Sequence, residues 1–181
     1  VESEACPLGL TPTSSTTACL VMGDALAIAL LEARGLSAED FAFSHPGGAL
    51  GRRLLLKLAD IMHQGSALPL VSEQTNLADT LLEMTQKGLG MAAVVNKAGK
   101  LVGIYTDGDL RRSLEQPRDL RYTAIADLMS LEPMTAKANM LAVQALRVME
   151  YNKINALVII DRNHHPIGAI NMHDLLRAGV L

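Results

Sequence analysis

Apolar positions change period twice, in the same order, along the second two-thirds of the chain. Leu77, Leu81, Leu82 and Met84 recur at helical spacing, and so do Leu141, Val143, Leu146 and Met149. Side chains three and four residues apart share one helix face, so each set predicts an amphipathic helix. Two short apolar runs follow each helix: Met91–Val95 with Leu101–Tyr105, and Ala156–Ile160 with Ile167–Asn171. Runs of this length parted by the turn-rich segments Asn96–Lys100 and Asp161–Pro166 predict paired strands. Helices beginning near Asp107 and His173 close the two units.

The units align without a gap at a constant offset of 65 residues: Leu89 falls on Ile154, Gly103 on Gly168, Asp109 on Asp174 and Arg112 on Arg177. Ala59-Asp60-Ile61-Met62 and Ala126-Asp127-Leu128-Met129 open them in matching form, and the charged, Pro-containing stretch Glu115–Tyr122 reads as a linker. A repeat of a whole supersecondary unit predicts two copies packed on each other, with a crevice between them for a ligand.

Residues 1–58 have another character. A hydroxyl-rich loop, Thr11–Thr17, feeds a helix expected from about Thr16 to Arg34 and stopped by Gly35. Leu20, Val21, Met22 and the run Ala25–Leu31 cover almost every face of that helix. A helix apolar all round belongs inside a larger domain. The chain before residue 59 is too short to bury it, which predicts cover from another subunit or from more of its own domain. A short helix is expected around 38–43, followed by the loop Ser44-His45-Pro46-Gly47-Gly48-Ala49-Leu50-Gly51. Pro46 biases His45 to extended backbone, and the paired glycines permit close approach of a ligand or neighbour.

Composition narrows the class. The chain has 181 residues and a net charge of −3, is 49% hydrophobic but only 3% aromatic, and has no Trp. A weakly acidic chain poor in rings lacks the basic, stacking footprint of a nucleic-acid binder. The longest uninterrupted apolar run, Ala25–Leu31, falls short of the ~20 residues of a membrane span, so a soluble protein is expected. Two cysteines, Cys6 and Cys19, are too few for a disulfide framework; they read as small core hydrophobes in a cytoplasmic protein. The absence of an initiator Met leads us to expect a piece of a longer protein.

Several residues carry candidate chemistry. Thr13, Ser14 and Ser15 at a helix start are placed to bind a phosphate through backbone N–H groups and the helix dipole, or simply to cap the helix. Asp107-Gly108-Asp109 looks like the opening of a calcium loop, but Arg111 and Arg112 stand where further acidic ligands are needed. No metal site is expected. His164-His165 reads as a solvated turn, and His63 has no evident role.

The unit ending in Gly103-Ile104-Tyr105-Thr106-Asp107-Gly108-Asp109 resembles the CBS domain, and its two copies resemble a CBS pair over 59–118 and 119–181. Residues 1–58 resemble the carboxy-terminal part of a sugar-isomerase (SIS) domain through Glu4-Ala5-Cys6-Pro7-Leu8-Gly9-Leu10, Pro12–Thr17, Gly23-Asp24-Ala25-Leu26-Ala27 and the Ser44–Gly51 loop. In this order the segments are similar to the D-arabinose 5-phosphate isomerase family. The resemblance implies an α/β (α+β) architecture, a tandem CBS pair preceded by the last helices of an SIS α/β sandwich. It implies interconversion of D-ribulose 5-phosphate and D-arabinose 5-phosphate for Kdo and lipopolysaccharide synthesis, without a cofactor, in a homotetramer. It places catalysis on Glu4 and His45, one as base and one as proton shuttle, in an order left open. The SIS phosphate loop should lie upstream of this chain, so these residues alone are expected to be inactive and to form a dimer. In nucleotide-binding CBS pairs the matching positions are Thr106 and Asp109 in the first copy, Asn171 and Asp174 in the second; AMP, CMP or CMP-Kdo are the implied ligands. A stand-alone CBS sensing or oligomerisation module is the competing reading.

Overall fold

The computed structural model describes residues 1–37, 40, 41, 44, 55–115, 120 and 122–180. Helix α1 (Ser14–Arg34) is followed by the single turn α2 (Leu58–Ile61). The first repeat unit holds β1 (Leu70–Ser72), α3 (Leu77–Lys87), β2 (Met91–Val95), β3 (Leu101–Thr106) and α4 (Asp107–Leu114). After β4 (Ser130–Leu131), the second holds β5 (Thr135–Ala136), α5 (Ala142–Asn152), β6 (Ala156–Ile160), β7 (Pro166–Asn171) and α6 (Met172–Arg177). Every helix and strand pair read from the repeat is present. Strands β1, β4 and β5 escaped the pattern because runs of two or three residues are too short to show a period. The helix expected around 38–43 falls largely outside the described residues.

Each sheet pairs a short strand in parallel with the first strand of the hairpin, β1 with β2 and β5 with β6, across a helical crossover. The hairpins β2–β3 and β6–β7 are antiparallel, and both ladders slip at repeat-equivalent places, between Val94 and Val95 and between Ile159 and Ile160. Alternation then divides the side chains between two cores. Ala92 and Val94 face the first unit's own core with Val71, Leu77 and Met84. Met91 and Ala93 face the other sheet, where they meet Val158, Ile160 and Ala169. On β6, Leu157 and Ile159 turn inward to Ala145, Leu146 and Met149. Burial on both faces explains why these strands read as continuous apolar runs.

The opening segments are exchanged. Ala59-Asp60-Ile61-Met62, which precedes the first unit in sequence, packs on the second. Leu58 lies in the second unit's core, its N–H donates to the Met140 carbonyl at 2.9 Å, and His63 bridges Ala169 of β7 through backbone bonds of 2.8 and 3.0 Å. The segment before the second unit does the reverse. Ile125 lies in the first unit's core, its N–H donates to the Thr75 carbonyl at 2.8 Å, and β4 pairs with β3. Glycines admit both segments: a Cβ on Gly103 would collide with the Met129 side chain, and one on Gly168 with the Met62 side chain.

Helix α1 has no buried residue, and Leu20, Val21, Met22 and Leu26 are each 60% exposed or more. Its 21 residues are, by length and composition alone, long and apolar enough to cross a membrane. This corrects the expectation that no stretch qualifies. The uninterrupted run Ala25–Leu31 is short, but the helix joins it to Leu20–Met22 across only Gly23 and Asp24, and one charge does not bring down the hydropathy of the whole window. A core helix of a soluble domain passes the same test. Cys19 is exposed on this helix and Cys6 only partly covered, so neither is the core residue expected.

Candidate functional site

The step from strand to helix is built identically in the two units. Thr106 ends β3 and caps α4: its hydroxyl accepts from the Asp109 N–H at 3.3 Å, while Asp109 Oδ2 accepts from the Thr106 N–H at 2.8 Å and its hydroxyl at 2.6 Å. Asn171 caps α6 the same way, with its Oδ1 accepting from the Asp174 N–H at 3.0 Å and Asp174 Oδ2 accepting from the Asn171 N–H at 3.0 Å. These reciprocal pairs are capping boxes with Asp in place of Glu, because a one-carbon side chain still spans three residues of a first turn. Asp109 and Asp174 therefore do serve their helices, the plainer of the two roles available to them.

Each carboxylate keeps its other oxygen for the exchanged segment. Asp109 Oδ1 accepts from the Ser130 hydroxyl at 2.7 Å and from the Arg112 guanidinium. Asp174 Oδ1 stands 3.0 Å from His63 Nε2. Ser130 and His63 follow Met129 and Met62, so the two contacts are the same feature seen twice. Burial pushes the Asp109 carboxyl up, but hydrogen bonds from the Thr106 hydroxyl, Ser130, Arg112 and the Thr106 N–H outweigh it and hold the group below the usual carboxylate range. Sequence reasoning passed over Ser130 and His63. Their place directly after the repeated Ala-Asp-x-Met signature was the available signal.

A cleft of about 1060 Å³ opens between the units. Thr106, Asp109 and Asn171 line it; Asp174, turned to His63, does not. Glu132, Lys153 and Arg111 add charge to its wall, and Ile104, Leu89 and Met172 add apolar surface. Polar and apolar surface are mixed along its wall, and converging polar groups of this kind can fix the orientation of a small molecule.

At the amino end, Glu4 occupies the start of α1. Its Oε2 accepts from the Thr13 N–H at 2.7 Å, the Thr13 hydroxyl at 3.0 Å and the Ser15 N–H at 3.2 Å. The donors expected to hold a phosphate at Thr13, Ser14 and Ser15 thus hold a carboxylate at Thr13 and Ser15, which is the same anion preference satisfied from within the chain. Hydrogen bonds from the Ser15 hydroxyl and the Thr13 N–H lower the Glu4 carboxyl to about 2. Thr11 does the same for Cys6, whose thiol is lowered to about 6 by hydrogen bonds from the Thr11 hydroxyl and nearby N–H groups. His45, the other candidate catalytic residue, lies outside the described residues. His165 is engaged rather than simply solvated: Nδ1 stands 3.2 Å from Asp161 Oδ2, and Nε2 3.3 Å from the Ala98 carbonyl of the other unit's turn.

Residues 57–116 and 125–181 match the model of the CBS domain. The chain belongs to the CBS domain family. Its CBS pair is the two repeat units, and the mixed α and β content is that of the tandem pair expected. Among solved structures, the CBS-pair protein CBSX2 in complex with AMP superposes with a TM-score of 0.58 at 21% identity, covering 69% of this chain and 96% of that one. The CBS pair of protein MJ0100, in complex with 5-methylthioadenosine and S-adenosyl-L-methionine, gives 0.61 at 19% identity, covering 68% and 94%. These likenesses show the fold. The sequence as a whole matches another kind of relative: arabinose 5-phosphate isomerase KdsD of Pseudomonas aeruginosa is 62% identical over 181 residues, 100% of this chain and 56% of that protein. The chain spans about half the length of the isomerases that it matches.

Proposed function

We propose that these residues are the carboxy-terminal part of an arabinose 5-phosphate isomerase, which interconverts D-ribulose 5-phosphate and D-arabinose 5-phosphate for Kdo synthesis in the cytoplasm. The observation that carries the reading is the 62% identity to a KdsD isomerase from the first residue to the last, residues 1–58 included. The reaction moves a proton between adjacent carbons and another between their oxygens, a task that a carboxylate and an imidazole can share. Glu4 and His45 are the pair proposed to share it, with the order of base and shuttle left open. In the arrangement seen here hydrogen bonds hold the Glu4 carboxyl down at about 2, so a role as base would require it to leave those donors. Thr13, Ser14 and Ser15 remain the proposed phosphate donors at the amino end of α1, where a sugar phosphate would have to displace the Glu4 carboxylate from the Thr13 and Ser15 N–H groups. The exposed apolar faces of α1 fit an assembly in which further chain or further subunits cover them.

The CBS pair serves in this reading as a regulatory nucleotide site, walled by Thr106, Asp109 and Asn171. Asp109 Oδ1 would exchange its Ser130 hydrogen bond for ribose hydroxyls; Asp174 lies outside this cleft and would meet a ligand of its own only by giving up His63. Two measurements test the two halves. The longer protein that carries this sequence should isomerise D-ribulose 5-phosphate, and His45→Ala should lower its turnover roughly 10²-fold or more; turnover within threefold of the unsubstituted enzyme removes His45 from the mechanism. Calorimetry of the 181-residue chain should show binding of AMP or CMP that weakens by about 1–3 kcal/mol in Asp109→Ala. An absence of heat and of thermal shift at millimolar nucleotide would leave the CBS pair as an assembly element.

A further inference from the structure

Among the described residues three other than glycine hold a left-handed backbone: Glu132 (φ 54), Lys153 (φ 54) and His164 (φ 65). Each is the repeat counterpart of a left-handed glycine: Gly65 (φ 56), Gly88 (φ 67) and Gly99 (φ 74), respectively. The fold thus asks for the same backbone in both copies. Glycine adopts it freely, whereas any other residue brings its Cβ against a carbonyl oxygen. Histidine is among the side chains found there more often, while lysine and glutamate are not favoured. His164 lies in the β6–β7 turn, away from the cleft. The two costly cases, Glu132 and Lys153, both line the cleft that holds Thr106, Asp109 and Asn171.

Among the described residues, neither side chain makes a hydrogen bond or ion pair that would repay the conformation. Within the described residues, no ion pair engages either of them. Lys153 caps α5 with its backbone alone: its N–H donates to the Glu150 carbonyl and the next N–H, of Ile154, to the Met149 carbonyl, as Gly88 caps α3 with no side chain at all. Arg112 is already committed to Asp109. Among the described residues of the wall, the charges left to meet a ligand are Lys153 and Arg111 on one side of the balance, Glu132 and Asp107 on the other. A wall of mixed sign suits a ligand with an anionic group at one point and N–H or O–H donors at another. Backbone strain that persists without a structural return marks a functional position.

We propose that Lys153 and Glu132 set the ligand preference of the cleft: the Lys153 ammonium pairs with the phosphate of a nucleoside monophosphate, and the Glu132 carboxylate accepts from N–H or O–H groups of its nucleoside. The assignment rests on the reading of the cleft as a nucleotide site. Lys153→Gly writes the first unit's Gly88 into the second, so it separates fold from ligand. In the 181-residue chain it should raise Tm by about 2–4 °C while weakening AMP and CMP about tenfold and leaving adenosine and cytidine unchanged. Lys153→Arg should keep the preference for the phosphorylated forms. Glu132→Gly, copying Gly65, should also raise Tm but weaken nucleosides and nucleotides by the same factor. Should Lys153→Gly fold poorly, Lys153→Asn, which tolerates the left-handed region without a charge, must show the same loss of phosphate preference. An unchanged ratio of AMP to adenosine affinity in these variants overturns the assignment and leaves the nucleotide reading standing. A chain that binds none of the four compounds overturns both.

Discussion

His63 and Asp174 stand 111 residues apart in the chain and 3.0 Å apart in space, Nε2 to Oδ1. The contact ties the segment that opens the first unit to the helix start that closes the second. Its counterpart, Ser130 on Asp109 at 2.7 Å, ties the opening of the second unit to the closing helix of the first. The two contacts therefore couple each unit to its neighbour at the residues proposed to meet a ligand. A nucleotide that takes either carboxylate must compete with the exchanged segment, which gives ligand binding a direct route to the packing between units.

Breaking this tie should cost stability in a pairwise way. His63→Ala leaves Asp174, largely covered, with one donor fewer, and a loss of about 1 kcal/mol is expected. A double-mutant cycle of His63→Ala and Asp174→Ala, read by urea denaturation, should return a coupling of about 0.5–1 kcal/mol. Simple additivity would show that the contact carries no energy of its own.

The glycine-methionine contacts should matter more. Gly103→Ala drives a methyl group into Met129, and Gly168→Ala does the same against Met62. The Met side chains can yield, but the carbonyls of Ser130 and His63 behind them hold the backbone close. Each substitution should destabilise the pair by about 1–3 kcal/mol in urea denaturation, and hydrogen exchange should rise first at β4 for Gly103→Ala and at His63 for Gly168→Ala.

Asp109 gives a pH dependence of definite sign. Its carboxyl is held below the usual range in the folded chain, so the folded state binds fewer protons there than the unfolded state. The contribution is complete above the ordinary carboxylate range and is lost as pH falls through the folded value. Urea midpoints measured downward from neutrality should fall below about pH 4, and Asp109→Asn should flatten that fall. An identical acid limb in the variant would contradict the assignment.

Glu4 predicts a local effect at the other end. With the carboxyl lowered from 4.5 to about 2, its hold on the start of α1 is complete above about pH 4.5 and is released as pH falls through about 2. Amide exchange at Thr13 and Ser15 should speed up in Glu4→Gln at neutral pH, because the amide is a weaker acceptor than the carboxylate. Unchanged protection at both amides would mean that the carboxylate does not cap the helix in solution.

Much of this arrangement was legible beforehand. The periods of Leu77–Met84 and Leu141–Met149, and the apolar runs Met91–Val95 and Ala156–Ile160, located the helices and strands because burial of one face or two imprints a spacing on the chain. The repeat also placed Thr106, Asp109, Asn171 and Asp174 at equivalent helix starts. What these residues touch was not legible. Ser130 and His63 reach the two carboxylates from distant segments, and no local spacing encodes that meeting. Nor did the Thr13–Ser15 cluster reveal that Glu4, nine residues before Thr13, would supply its anion.

Periodicity and the repeat are enough to specify the two copies, their internal order of elements and the need for two packed sheets. Which sheet each opening segment joins is a matter of long-range packing. Both segments carry the same Ala-Asp-x-Met signature, and both sheets offer the same glycine, Gly103 or Gly168, to receive its methionine. Local interactions are therefore satisfied equally by either pairing. The choice falls to what the segments meet beyond themselves: Leu58 and Ile125 each complete the core of the opposite unit, with backbone bonds to Met140 and Thr75. That exchange brings His63 to Asp174 and Ser130 to Asp109, contacts that no local spacing specifies.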